Sequence, residues 1–110
     1  MDINKKEILA QYKEREVIGG VYAIKNIQNG KLLLESATDL QGSKNRFEFS
    51  LKTGSCVSMK LRNDWKNGTF VFEVMEEIKK GETQTDAEFK SDVDALKEMW
   101  AEKFSAQELY

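Results

Sequence analysis

Three stretches of the chain carry the strand pattern, and several others repeat apolar residues at helical spacing. Val21-Tyr22-Ala23-Ile24 and Lys31-Leu32-Leu33-Leu34 flank Asn29-Gly30. Asn-Gly supplies the positive φ angles of a type I′ turn, so this unit reads as a β-hairpin. Thr69-Phe70-Val71-Phe72-Glu73-Val74-Met75 is too β-branched and aromatic for a surface helix and reads as a third strand. The spacing predicts one antiparallel sheet over 20–26, 31–36 and 69–76. Both faces of the hairpin are apolar, so helices are expected on more than one side of the sheet.

The helical stretches surround these strands. Asn4 and Glu7 stand in capping-box spacing before Ile8, Leu9 and Tyr12, and Gly19-Gly20 ends that unit. Ser36 and Asp39 make a second capping signal, followed by Leu40, Phe47 and Leu51 on one face and closed by Gly54. Ser55 is a candidate cap for a third helix, with Val57, Leu61 and Trp65 at i, i+4, i+8 and Asn67-Gly68 as its stop. Thr85 and Glu88 form another capping box, leading into Phe89, Val93, Leu96, Trp100 and Phe104. The expected fold is α+β: a three-stranded antiparallel sheet, the N-terminal hairpin plus a later strand, flanked by about four helices.

Composition narrows the chemistry. The 110 residues make one domain, with a helical extension over 1–18, a core over 19–104 and a tail over 105–110. There is no histidine, which excludes imidazole bases, Ser–His triads and His metal ligands. The lone Cys56 makes neither an intramolecular disulfide nor a multi-cysteine zinc site. No apolar run approaches the roughly 18–20 residues of a membrane helix, and the N-terminus lacks a signal peptide's apolar core, so a cytoplasmic location is expected.

The net charge of −2 conceals an asymmetry. Residues 41–68 hold six basic against two acidic side chains, a net of +4, while residues 69–110 hold five against eleven, a net of −6. A basic middle suits an anionic partner, DNA or RNA, with Lys44, Arg46, Lys52, Lys60 and Arg62 as the contact candidates; a protein partner is the other class.

In order along the chain stand Gly20-Val21-Tyr22, then Asn29-Gly30-Lys31, then Leu33-Leu34-Glu35-Ser36-Ala37-Thr38-Asp39-Leu40. Lys52-Thr53-Gly54-Ser55-Cys56, Lys60-Leu61 and Phe70-Val71-Phe72-Glu73-Val74-Met75-Glu76-Glu77 follow. This series resembles the GIY-YIG nuclease family, in particular the catalytic domains of phage-intron homing endonucleases. The resemblance implies metal-dependent cleavage of a phosphodiester: a carboxylate holds one divalent ion, a tyrosine helps activate water, and an arginine stabilises charge on the phosphate.

Residue by residue, the resemblance implies a changed site. Tyr22 stands as the first-motif tyrosine. Leu33 replaces the second-motif tyrosine, and Glu35 the glycine after it. Ser43 stands where the catalytic arginine is expected, with Arg46 nearly one turn on. On the last helix, Lys97 lies at the edge of the apolar stripe where the metal carboxylate is expected, while Glu98 points away. Rotating the helix to bring Glu98 inward would expose the stripe. Tyr22 and Lys97 are therefore expected on the same side, with Glu98 exposed and remote. Two readings follow. One is a non-catalytic nucleic-acid- or protein-binding module with no cofactor. The alternative is a divergent endonuclease using Mg or Mn through Glu98 or Glu35.

Overall fold

The computed structural model describes residues 17–66 and 68–110. The helix expected from Asn4 onward falls outside them, as does Asn67. The first strand, β1, runs Ile18–Asn26, and β2 runs Leu32–Ala37. Helix α1 spans Leu40–Thr53, a 3₁₀ turn spans Met59–Leu61, β3 runs Phe70–Lys79, and α2 spans Asp86–Ala101. The strands form one antiparallel sheet, as expected, and the structure orders them β2-β1-β3. Among the described residues there are two α-helices, and neither is long and apolar enough to cross a membrane.

Strand alternation divides the core. Ile24 and Leu33 face one way and pack with Phe47, Leu61 and Phe70. Val21, Ala23, Leu32 and Leu34 face the other way, and Leu96, Trp100 and Phe104 pack against them. So α1 and the loop after it cover one face, and α2 covers the other. Aromatic contacts reinforce the first cluster: Tyr22 stacks on Phe72 at 4.6 Å between centroids, and Trp65 on Phe70 at 5.0 Å.

Backbone approach is closest at Gly20. Its φ is +149°, and a Cβ there would lie 1.9 Å from the Glu76 carbonyl oxygen on β3. It lies beside a register shift between Val21 and Tyr22, which pair with Glu76 and Val74 and leave Met75 as the extra residue of a bulge.

Five expectations need correction. About four helices are expected around the sheet, and the described residues hold two α-helices. The hairpin turn is not type I′, because among the described residues only glycines have positive φ, so Asn29 does not. The loop instead closes with the Gly30 N–H donating to the Asn26 carbonyl (2.8 Å), and Gly30 alone takes φ +76°. Ser36 does not cap α1; Asp39 does, accepting from the Gly42 N–H. Leu51 is exposed, since the buried stripe of α1 runs Leu40, Ser43, Phe47, Ser50. Finally, the helix expected from Ser55 is an irregular segment with one 3₁₀ turn, capped by Ser58 through the Lys60 N–H. Its apolar side chains Val57, Leu61 and Trp65 nevertheless pack into the core.

The Gly54 stop and the Thr85–Glu88 capping box form as expected. The tail docks on the outer edge of β2: Leu109 bridges Leu32, and the Tyr110 hydroxyl donates to Asp64 at 2.8 Å.

Candidate functional site

β1, the end of β2, α1 and α2 meet at a cleft of about 270 Å³, lined by Tyr22, Ser36, Ala37, Thr38, Asp39, Ser43, Arg46, Lys90, Val93 and Asp94. Strand alternation turns Tyr22 toward α1. The first two turns of α1, which begins at the Asp39 cap, deliver Ser43 and Arg46. Ser43 is buried and its hydroxyl accepts from the Arg46 guanidinium at 3.0 Å. The residue at the expected arginine position and the arginine one turn on therefore belong to a single hydrogen-bonded unit.

Tyr22 is half-buried. Burial, and then the charge of Glu35, raise its pKa above the ordinary tyrosine value; the Ser43 hydrogen bond and Arg46 oppose this to a lesser degree. At neutral pH Tyr22 is thus a phenol, able to donate a hydrogen bond and poorly suited to act as a phenolate base. A raised folded pKa contributes stability that is present below the unfolded value and lost as pH rises through the folded one. In an alkaline titration followed at the phenolate absorbance, Tyr22→Phe is expected to remove a late-titrating component. Loss of an ordinary component near pH ~10 would contradict this placement.

The acidic side of the cleft is Asp94, which the sequence reading did not single out. It accepts from the Ser36 hydroxyl and pairs with Lys90 at 2.8 Å. The Lys90 hydrogen bond first, then that of Ser36, holds its carboxyl below the usual carboxylate range. A signal for it was present: Lys90, Asp94 and Lys97 recur at i, i+4, i+7, along the edge of the apolar stripe.

Lys97 does not line the cleft. It lies beside it, pairing with Glu35 at 3.5 Å, and Glu35 stands directly across from Tyr22 in the β1–β2 register. Glu98 is exposed and is not a lining residue. Leu33 is buried in the core. Lys44, Lys52, Lys60 and Arg62 are exposed along α1 and the segment after it, outside the cleft.

The acidic side chains at and beside the cleft are each engaged by another group. Glu35 holds Lys97 and Asp94 holds Lys90, so an incoming cation would have to displace two ammonium groups and face their repulsion. Asp39, the other acidic lining residue, is committed to its helix cap. No cluster of three or more acidic or cysteine side chains suited to a metal occurs among the described residues.

Compared with solved structures, the chain is similar to the catalytic domain of intron endonuclease I-TevI in a glutamate-to-alanine mutant. The two share 28% identity and a TM-score of 0.56, over 78% of this chain and 82% of that one. No protein-family model and no curated protein sequence matches the chain.

Proposed function

We propose, from the divergent GIY-YIG-like fold that this likeness supports, that the domain binds nucleic acid without cleaving it. The observation that carries the reading is the distribution of ion pairs. The carboxylates beside Tyr22 are held by lysines. By contrast Lys44, Arg46, Lys52, Lys60 and Arg62 have no carboxylate partner among the described residues. Cations without a carboxylate partner release counterions when they meet phosphates, which is the main source of affinity for a polyanion. Within the cleft, the Arg46 guanidinium and the neutral Tyr22 phenol can both donate to a phosphate oxygen. Neither generates a nucleophile.

The test is an incubation of the full chain with supercoiled DNA and with structured RNA, in magnesium and in manganese, beside a Tyr22→Phe control. Binding is measured in parallel by fluorescence anisotropy. The expected result is binding that weakens steeply with salt, with no cleavage above the control. Tyr22-dependent cleavage would establish the endonuclease reading instead. Absence of binding to either polymer at low salt would point to a protein partner.

A further inference from the structure

Phe49 is anomalous for α1: a large apolar ring that is 66% exposed. It borders a groove of about 470 Å³, shared with Asn45, Arg46, Ser50, Cys56 and Val57. Arg46 lines both this groove and the Tyr22 cleft. Lys52 follows Phe49 by one turn and is exposed. The helix carries Lys44, Arg46 and Lys52 against Glu48 alone.

A flat exposed ring in an open groove, with a guanidinium at its rim and unpaired lysines on the same helix, matches the requirements of a nucleobase joined to its phosphate. Base–aromatic stacking needs an accessible ring face, and the backbone needs cations nearby. Bases within a duplex are already stacked and paired, so such a site selects single strands. We propose that the Phe49 groove receives an unpaired base of a single-stranded nucleic acid whose adjoining phosphate lies on Arg46. This deepens the nucleic-acid-binding reading and rests on it. Charge decides the occupant, because Arg46 lines the groove and Lys52 stands one turn after Phe49, and an apolar partner protein has no use for cations flanking the ring.

The experiment uses labelled single-stranded DNA and RNA oligonucleotides and their matched duplexes, with anisotropy as the readout. Single strands are expected to bind about tenfold tighter than duplexes. Phe49→Ala and Phe49→Leu are each expected to weaken single-strand binding about tenfold, while Phe49→Trp retains it. The exposed ring makes folding of these variants secure, and circular dichroism checks it. Leucine preserves apolar bulk, so its failure to rescue distinguishes stacking from mere coverage. The proposal is overturned if Phe49→Ala and Phe49→Leu bind like the wild type, or if duplexes bind as tightly as single strands. If Arg46→Glu abolishes binding in those circumstances, the nucleic-acid reading survives and only the base site is lost. If no polymer binds at all, both fall. The DNA and RNA arms identify which sugar the strand carries.

Discussion

Gly20→Ala is expected to destabilise the domain by more than about 3 kcal/mol, a large part of the total stability of a small domain. The new Cβ would lie 1.9 Å from the Glu76 carbonyl oxygen, and the obstructing atom is backbone, which cannot rotate away. The φ of +149° adds a conformational penalty that only glycine escapes. Relief would require β1 and β3 to part beside the bulge, undoing the pairing of the central strand. Gly54→Ala supplies the contrast: φ is positive there too, at +76°, but nothing lies within 4 Å of the added Cβ, so a loss of ~1 kcal/mol is expected. Urea denaturation measures both. Similar midpoints for the two variants would mean that the close approach at Gly20 does not govern stability.

The second large effect concerns charge. The double variant Arg46→Glu, Lys60→Glu is expected to weaken nucleic-acid binding by about 100-fold or more at low salt. The slope of log affinity against log salt should fall by roughly 2, as two phosphate contacts are lost. Both side chains are exposed, so the fold should survive. Reversal is more informative than neutralisation, because a glutamate repels the phosphate that the cation attracted. Unchanged affinity in a folded double variant would remove this surface from the interface.

The sheet was legible in the sequence because alternation and the Asn29-Gly30 punctuation are local signals with a direct geometric cause. The turn type was not, since it depends on where the strands stop pairing. The segment 55–66 marks a different boundary. Val57, Leu61 and Trp65 at i, i+4, i+8 correctly announced burial, yet burial was reached by docking an irregular segment under Phe47 and Phe70. The Ser58 hydroxyl competes for the local N–H groups and supports only a 3₁₀ turn.

On α1 apolar periodicity predicts Leu51 on the buried face, and Ser50 takes that place. The structure buries Ser50 because its hydroxyl is satisfied by the Arg46 carbonyl at 2.9 Å. At the cleft, Tyr22 and Ser43 fall at motif positions and Arg46 lies one turn beyond Ser43, and the structure brings the three together. Asp94 stands outside the position where a family carboxylate is expected, and its role comes from its contacts rather than from a motif. Its partner Ser36 lies 58 residues away, which no local pattern reveals.

The outer edge of β3 bears on self-association. Among the described residues β3 pairs with β1 alone, and no described strand lies along its other side. Exposed sheet edges invite a second copy to add on and continue the sheet. This one carries Glu73, Glu76 and Glu77 within ten residues. Two such strands laid antiparallel would gather six carboxylates into one ribbon. Like charges across neighbouring strands oppose that pairing, so the acidic edge favours separate copies over a growing stack.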